Sequence, residues 1–234
     1  CVRERDPPVS SGAPPLTTES FFFFSSIATI LRHAGSPLYP MAKNRIIVGL
    51  SGASGIIYGI RLLEAARGLG LETDLIMTDI AAKMIEIETD MSPDEVTALA
   101  TRVHDSYDFT SPLASGGFSH AGMVVIPCSM KTLAGVACGF ADNLLLRAAD
   151  CALKEHRPLV LVPRETPLSP IHLKNMLTVA EAGAVILPAS PGFYHRPRDI
   201  QGLADHLVGK VLDVLSIKHH LYRRWREGEG GGRP

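Results

Sequence analysis

The chain has 234 residues, with 46% hydrophobic and 20% charged side chains and a formal net charge of −1. This length suffices for one sizeable core but not clearly for two. The near-neutral balance excludes a nucleic acid or an anionic membrane as the expected main partner. The four cysteines show neither zinc-site spacing nor a C-x-x-C pair, so we expect reduced thiols in a cytoplasmic protein without a bound metal.

Residues 1–40 differ from the rest of the chain in being rich in proline and serine. Their apolar patch, residues 21–31, is shorter than the ~20 residues that a membrane-spanning helix needs. A secretory signal, an organelle transit peptide and translation upstream of a true start at Met41 all stay open. We expect a disordered or non-native extension over 1–40, one folded domain over 41–218 and a flexible tail over 219–234.

From Met41 onward, apolar strands alternate with helical patterns. The predicted strands span residues 46–50, 72–77, 123–126, 159–162 and 184–187, the last three ended by Pro127, Pro163 and Pro188. The predicted helices span residues 56–66, 81–87, 131–138, 142–155, 172–182 and 200–217, with a further helix start and capping box at 92–95. Because the strands are continuously apolar, both of their faces should be buried. The chain is therefore predicted to be an α/β protein with a central parallel sheet flanked by helices.

The first predicted strand ends in a glycine-rich loop with Gly49, Gly52 and Gly55 and the hydroxyls of Ser51 and Ser54. Glycines let the backbone approach a ligand closely, and the N–H groups at the start of the following helix face an anion. The G-x-x-G-x-x-G spacing differs from the dinucleotide fingerprint and from the P-loop, which needs Gly-Lys-Ser/Thr. A phosphate-bearing cofactor is therefore expected, with NAD and ATP disfavoured.

Further polar groups follow the other predicted strands, where the ligands of a parallel sheet bind. Arg164 and Glu165 stand between two prolines, either as an anion-binding guanidinium beside a proton-transferring acid or as a structural ion pair. Ser129, Lys131 and Thr132 enter a helix. This pattern fits a phosphate site. It also fits an ordinary N-cap followed by a surface lysine, which is the more common arrangement.

Two more groups complete the candidate site. Arg147 and Lys154 lie seven residues apart on one helix face with Asp150 between them, so a ligand site and a surface salt bridge both stay open. Segment 194–196, Tyr-His-Arg, offers a phenol, an imidazole and a guanidinium in the loop after the last strand. Any one of these fits a packed turn, but several polar loops converging on one crevice favour a binding site.

Six motifs occur in order: SGASG-x-x-YG, ETD at 88–90, PCS-x-K-T, N-x-L-x-RAAD-x-x-LKE, RPLVLVPRETP and GAVI-x-P-A-x-P-x-FYH-x-P. Together they resemble the flavin prenyltransferases, within the homo-oligomeric flavin-containing cysteine decarboxylase superfamily, over about residues 45–217. The resemblance implies a Rossmann-like (flavodoxin-like) three-layer fold. It also implies metal-independent transfer of a dimethylallyl group from dimethylallyl monophosphate to N5 and C6 of reduced FMN. Prenylated FMN would then serve a separate decarboxylase of the ubiquinone or aromatic-acid pathway. The protein would be a large homo-oligomer, a dodecamer by resemblance, with sites between subunits.

The resemblance also implies roles for individual residues. The flavin would be contacted by Gly52, Ala53, Ser54, Thr78, Ser129, Met130, Lys131, Thr132 and Arg147. The phosphate of the second substrate would be held by Lys154, Arg164, Tyr194 and Lys210. Glu165 would act as acid toward the leaving phosphate, while Ser54 and Glu88 would assist proton transfer at the flavin. Familiar members carry Arg at position 210, and a lysine loses the bidentate fork. Phe109 stands where they carry Trp, which affects the shape of the prenyl pocket.

Three alternatives compete with this interpretation. A flavin-dependent cysteine decarboxylase of the same superfamily would carry an Asn-Met pair in a recognition loop, and Asn175-Met176 is present, but within a predicted helix and without a matching catalytic His. A non-catalytic FMN carrier would bind FMN whether or not Glu165 is intact. An NAD-binding dehydrogenase would use Asp79 as its ribose-binding acid, against which the glycine spacing argues.

Overall fold

The computed structural model describes residue 42 and residues 44–225, and the predicted extension 1–40 lies outside the described residues, as do residues 226–234. Within the described range, strands and helices alternate. In chain order they are β1 (Arg45–Leu50), α1 (Ile56–Gly68), β2 (Glu72–Met77), α2 (Asp79–Glu88), α3 (Pro93–Thr97), β3 (Arg102–His104), a 3₁₀ turn (Pro112–Ala114), β4 (Gly122–Cys128), α4 (Met130–Cys138), α5 (Leu144–Lys154), β5 (Leu159–Pro163), α6 (Pro170–Glu181), β6 (Val185–Ile186) and α7 (Ile200–Val214).

The described strands form one parallel sheet in the order β3-β2-β1-β4-β5-β6. The chain proceeds outward from β1 to β2 and β3, and then returns to place β4 on the other side of β1. In sheets of this kind, ligands bind in the crevice outside the carboxyl ends of the strands, where the direction reverses. The predicted Rossmann-like α/β fold with a central parallel sheet is confirmed, and its switch point lies between β1 and β4.

Each central strand buries both of its faces. Ile46, Val48 and Leu50 of β1 belong to a core cluster that includes buried side chains of α1 and α7. Ile47, which points the other way, belongs to a second cluster with Leu145 of α5. Because side chains alternate across a strand, burial of both faces favours apolar residues at successive positions. This two-sided core is the reason that the strands are continuous apolar runs in the sequence.

The edge strand β3 was not predicted. It has three residues, and Val103 between Arg102 and His104 is half exposed. Two ion pairs hold this strand to Asp74, a fully buried residue of β2: Arg102 Nε and His104 Nε2 each lie 2.9 Å from Asp74 Oδ1. A short polar segment therefore becomes a strand through a contact with a distant residue, which local hydrophobic periodicity does not reveal.

The prediction that Pro127 ends its strand was wrong, because β4 continues to Cys128. The pairing of β4 with β5 is irregular between Val125 and Cys128. Proline lacks a backbone N–H, and such an irregularity is where a sheet accommodates it. Pro163 does close its strand as its last residue, and β6 spans two of the four residues predicted.

The segment after α7 folds back onto that helix. α7 ends three residues before the predicted boundary at 217, and Ser216 adopts a left-handed φ of 57°. The carboxylate of Asp213 then accepts hydrogen bonds from His219, Tyr222 and Arg224. These three residues belong to the segment 219–234 that is predicted to be a flexible tail, and they are bonded to α7 through Asp213.

Candidate active site

Ser51 joins the loops that follow β1 and β4. Its buried hydroxyl accepts a hydrogen bond from the Ser129 N–H at 2.8 Å and donates one to the Pro127 carbonyl at 2.8 Å. The two strand ends on either side of the switch point are thereby tied together. Ser51 was noted in the sequence only as a loop hydroxyl, and its bridging role depends on the pairing of β1 with β4.

The glycine-rich loop brings α1 and α2 close together. A Cβ atom at Gly52 would overlap the side chain of Ile80 in the first turn of α2. Gly55 has φ of 96°, a left-handed conformation that favours glycine, and α1 begins immediately after it. The loop therefore directs the N-terminus of α1 toward the carboxyl edge of the sheet, as its spacing indicated.

The first N–H groups of α1 are bound by a carboxylate of the same chain. Gly55 N–H and Ile56 N–H donate to Glu88 Oε2 at 2.8 and 3.0 Å. Helix N-termini stabilise anions through their free N–H groups and the helix dipole. The sequence predicts a bound phosphate at this helix start. In the structure, the carboxylate of Glu88 at the end of α2 binds these N–H groups instead.

Two other helices begin at the same edge. The Thr78 hydroxyl caps α2 by accepting from Ala81 N–H at 3.3 Å, and the Ser129 hydroxyl caps α4 by accepting from Thr132 N–H at 3.2 Å. Lys131, two residues into α4, forms an exposed ion pair with Asp142 at 2.9 Å. The N-cap and the surface ion pair are therefore present, and the ligand role of this segment stays a prediction. Three helix N-termini around the switch point nevertheless make this edge well suited to an anion.

Arg164 joins the loop after β5 to the glycine-rich loop. Its Nε donates to the Ser54 carbonyl at 2.9 Å. Glu165 is exposed, and its Oε1 accepts from Thr166 N–H at 3.0 Å. Among the described ion pairs none joins Arg164 to Glu165, so the structural ion pair left open from the sequence is not formed. Both side chains instead line a cleft of about 150 Å³ together with Ser190.

Lys154 lies near the amino end of β5, and Arg164 lies at its carboxyl end. Lys154 ends α5 shortly before β5 begins, whereas Arg164 immediately follows the last residue of β5. The 5 residues of β5 separate them by about 16 Å at the usual ~3.3 Å rise per residue. Lys154 bonds to Glu155 at 3.0 Å, and Arg147 bonds to Asp150 at 2.7 Å. One chain therefore does not bring Lys154 and Arg164 to one point, and the surface salt bridge that the sequence left open for Arg147 is present.

The remaining predicted ligands lie beside α7. The Tyr194 hydroxyl is 3.2 Å from His206 Nε2, and Lys210 is 3.8 Å from Asp213 Oδ2. Burial raises the pKa of Asp213, but hydrogen bonds from Arg224 and other groups outweigh it and hold that pKa at about 2. His206 was missed in the sequence, although its position one turn before Lys210 on a helix could have revealed it.

A cleft of about 350 Å³ is lined by His206, Lys210, Pro188 and Ser190. Pro188 and Ser190 also line the cleft at Arg164, so one loop, which follows β6, borders both. Arg164 and Lys210, two of the predicted phosphate ligands, therefore line neighbouring clefts that are separated by this loop.

Two residues of the alternative interpretations have plain structural settings. Asp79 begins α2 and accepts a hydrogen bond from the Tyr107 hydroxyl at 3.3 Å. Asn175 and Met176 lie inside α6 rather than in a loop.

Across the part of the chain that the structure describes, no group of three or more His, Cys, Asp or Glu side chains is arranged to hold a metal ion. Within that same part, every helix is too short or too polar to cross a bilayer.

These features define the class: a doubly wound α/β protein with an anion-binding edge at its switch point. The Flavoprotein family pattern matches residues 35–219. The chain is 52% identical over 180 residues to the flavin prenyltransferase UbiX of Methanothermobacter thermautotrophicus, covering 77% of this chain and 94% of that protein. It therefore belongs to the flavoprotein family, among the flavin prenyltransferases.

Solved structures agree with this assignment. The crystal structure of AnUbiX (PadA1) in complex with FMN and dimethylallyl pyrophosphate has a TM-score of 0.77 and 48% identity, covering 81% of this chain and 99% of that one. A dodecameric FMN-dependent UbiX-like decarboxylase from Escherichia coli O157:H7 has a TM-score of 0.76 and 47% identity, covering 78% and 100%. The peptidyl-cysteine decarboxylase EpiD, at 14% identity and a TM-score of 0.55, covers 74% and 98% and shares the fold alone.

Proposed function

We propose that this protein transfers the dimethylallyl group of dimethylallyl monophosphate to N5 and C6 of reduced FMN, and that the prenylated FMN serves a separate decarboxylase. The observation that supports the proposal is the bond from Arg164 to the Ser54 carbonyl of the glycine-rich loop, with Glu165 lining the same cleft as Arg164, in a member of the flavin prenyltransferase family. A cation and an acid beside an anion-binding edge are the groups that departure of an allylic phosphate requires.

The residues at the carboxyl edge fit a flavin phosphate. Gly52 has no room for a side chain, because a Cβ atom there would overlap Ile80, and the N-termini of α2 and α4 lie at the same edge. When bound, reduced FMN supplies a nucleophilic nitrogen at N5. We assign its binding to residues of the loops and helix starts at this edge: Gly52, Ala53, Ser54, Thr78, Ser129, Met130, Lys131 and Thr132.

Arg164 and Glu165 would act on the leaving group. As the allylic C–O bond breaks, its electron pair stays on the phosphate oxygen, and the guanidinium of Arg164 offsets the growing charge. Glu165, in its protonated form, would give its proton to that oxygen. General acid catalysis of this kind contributes about 10²–10⁴-fold to a rate. The exposed carboxyl of Glu165 and the cleft that it lines allow a substrate to reach it.

Ser54 and Glu88 would move a proton at the flavin. Glu88 lies next to Ser54 in space because its carboxylate binds the N–H groups of the two residues that follow Ser54. A hydroxyl and a carboxylate this close can pass a proton between them or through one water. This neighbourhood is the physical support for their assignment.

Arg147 and Lys154 would act in the site of another copy of the chain. For Lys154, the separation from Arg164 within one chain, across the length of β5, supports a site that is shared between subunits of a homo-oligomer. A dodecamer is the assembly named for one solved relative. α6 carries exposed apolar side chains suited to assembly: Leu173 and Leu177, one turn apart on one face, are 53% and 59% exposed, and Ile171 elsewhere on the helix is 71% exposed.

The cytoplasm, or another reducing compartment, is the proposed location. The three described cysteines, Cys128, Cys138 and Cys151, are free thiols. Burial raises the pKa of Cys128 to about 12, so its thiol stays protonated and unreactive.

The reaction is tested by mixing the purified protein anaerobically with reduced FMN and dimethylallyl monophosphate and weighing the extracted flavin by mass spectrometry. A flavin heavier by one prenyl unit is expected from the wild type and from Glu181→Gln, an exposed control at the end of α6. Glu165→Gln should lose most of the product. Unmodified FMN that co-purifies tightly would instead support a carrier, and the same trial with dimethylallyl diphosphate separates the two donors.

A further inference from the structure

His206 links the loop after β6 to the side chain of Tyr194. Gly192 N–H donates to His206 Nδ1 at 3.2 Å, and His206 Nε2 lies 3.2 Å from the Tyr194 hydroxyl oxygen. An imidazole nitrogen that accepts a hydrogen bond carries no proton, so the proton of the neutral ring is on Nε2. Nε2–H therefore donates to the oxygen of Tyr194.

This arrangement leaves the phenol proton of Tyr194 available. A phenol has one proton to donate, and toward His206 its oxygen acts as the acceptor. Its O–H can therefore be given to a different acceptor, and a hydroxyl that accepts one hydrogen bond is a stronger donor in the next. Tyr194 is 42% exposed, so a ligand can reach it.

Aromatic contacts fix both rings. Tyr194 meets His206 edge to face at a centroid distance of 5.4 Å and 81°, and His195 stacks on His206 at 4.8 Å and 7° and also meets Tyr194 edge to face at 5.6 Å. His195 Nε2 donates to the Gly202 carbonyl at 3.3 Å, which holds the stacked ring in place. A Cβ atom at Gly192 would lie only 3.2 Å from both His206 and Tyr194, so the backbone at Gly192 packs closely against both rings.

The surroundings of His206 favour its neutral form. Burial lowers its pKa, as do the nearby His195 and Lys210, whereas Asp213 acts in the opposite direction. Lys210 lies one turn further along α7 and lines the same cleft as His206. An anion in this cleft would thus meet the Lys210 cation, and the Tyr194 hydroxyl lies 3.2 Å from His206 Nε2 at the border of the cleft.

We infer that His206 is a positioning residue for the prenyl donor: its Nε2–H binds the Tyr194 oxygen and so directs the phenol O–H toward the donor's phosphate. The inference rests on the proposed function, in which Tyr194 is a phosphate ligand. In this role His206 acts on the substrate through Tyr194.

Two variants separate the two bonds of His206. In His206→Gln, the longer side chain can place an amide N–H near the position of Nε2 and donate to Tyr194. In His206→Asn, the shorter side chain can place its oxygen near Nδ1 and accept from Gly192 only. His206→Asn should raise KM for dimethylallyl monophosphate by about threefold to tenfold with a smaller change in kcat, the range of one ordinary hydrogen bond. His206→Gln should stay near the wild type.

The double variants with Tyr194→Phe test whether the effect acts through the phenol. Without the hydroxyl, His206→Asn and His206→Gln should have equal KM values. Calorimetric titration of the oxidised FMN-loaded protein with dimethylallyl monophosphate, where no turnover occurs, should rank the Kd values in the same order. Should His206→Asn fail to fold in a thermal melt, His206→Leu fills the volume without a donor and should show the same raised KM.

Equal KM values for His206→Asn, His206→Leu and His206→Gln in the presence of Tyr194 would overturn the inference and leave a packing role. A difference that persists in Tyr194→Phe would overturn it as well. Both results presuppose that the wild type makes prenylated FMN, so they are distinct from failure of the proposed function. A wild type that forms no prenylated FMN overturns the proposed function and this inference together.

Discussion

The carboxylate of Glu88 accepts a hydrogen bond from the backbone N–H of Gly55, with 2.8 Å between Oε2 and N. The two residues are 33 positions apart, and the bond joins the end of α2 to the start of α1. The same oxygen accepts from Ile56 N–H, so a single carboxylate occupies the positive end of α1. The glycine-rich loop of this chain therefore already binds one anion that belongs to the protein.

Replacement of Glu88 by Gln should weaken this junction. A neutral amide oxygen can still accept from Gly55, but the charge that interacts with the helix dipole is lost, which is worth about 0.3–1 kcal/mol at low ionic strength. Urea unfolding measures the change, and 1 M salt should reduce it because salt screens the charge. Glu86→Gln, on the exposed side of the same helix, is the control. A loss of stability that is unaffected by salt would contradict the dipole explanation.

Ser51→Ala should destabilise the fold more than an exposed hydroxyl does. The substitution leaves the Ser129 N–H without its hydroxyl acceptor, whereas the Pro127 carbonyl keeps a bond from the Ser51 backbone N–H at 3.4 Å. An unsatisfied buried polar group costs about 1–3 kcal/mol. Thr178→Ala, which removes an exposed hydroxyl on α6, should change the free energy of unfolding by less than about 0.5 kcal/mol. Equal effects of the two substitutions in urea unfolding would show that the Ser51 bridge contributes little.

The stability contributed by Asp213 should depend on pH in the acid range. Its folded-state pKa of about 2 lies below its ordinary value of 3.8. A carboxyl with a lowered folded-state pKa stabilises the fold above its unfolded-state pKa and loses that contribution as the pH falls through the folded-state value. Asp213→Asn should therefore lower the free energy of unfolding by about 1–2 kcal/mol at pH 7, allowing for solvent screening.

The difference between Asp213→Asn and the wild type should shrink between pH 4 and pH 2, measured as urea midpoints over a pH series. Asp90→Asn, an exposed carboxyl, should show no comparable dependence. A difference that is constant from pH 7 to pH 2 would mean that the charge of Asp213 is not what stabilises the C-terminal segment.

Lys210→Arg should tighten the binding of the prenyl donor, if Lys210 binds its phosphate as proposed. A guanidinium offers two parallel N–H groups to a phosphate, whereas an ammonium acts as a point charge. KM for dimethylallyl monophosphate should fall about twofold to tenfold, and Lys210→Ala should raise it. Lys83→Arg, on an exposed position of α2, is the matched control. A KM that rises in Lys210→Arg would show that the cleft is shaped for the shorter lysine side chain.

Two inactive variants should restore activity to each other when they are co-expressed. Lys154 and Glu165 lie beyond opposite ends of β5 in one chain, so a site that contains both would take them from different subunits. Mixed oligomers of Lys154→Met and Glu165→Gln would then contain some sites with both native residues, detectable as prenylated FMN by mass spectrometry. Arg164→Met with Glu165→Gln should show no such restoration, because these neighbours share one loop. Inactive mixed oligomers would place Lys154 and Glu165 in the same subunit's site.

Several features of the fold and the site were predictable from the sequence because their causes are local. The capping box of Ser92 and Glu95 was predicted and is present, with both reciprocal bonds formed within four residues. The polar residues after β1, β4 and β5 were expected at one edge, and Arg164 does meet the glycine-rich loop there. β3 was missed because the ion pairs that hold it to Asp74 involve a residue 28 positions away.

The sequence by itself determined the alternation of strands and helices, the buried parallel sheet and the anion-binding turn after β1. These follow from side-chain periodicity, capping and glycine placement, which act over a few neighbouring residues. Only the tertiary structure decided that Glu88 binds the start of α1, that His206 lies behind Tyr194, and that Lys154 is a strand's length from Arg164. Strand order and helix packing bring those groups together or keep them apart, and neither is encoded in the spacing of near neighbours.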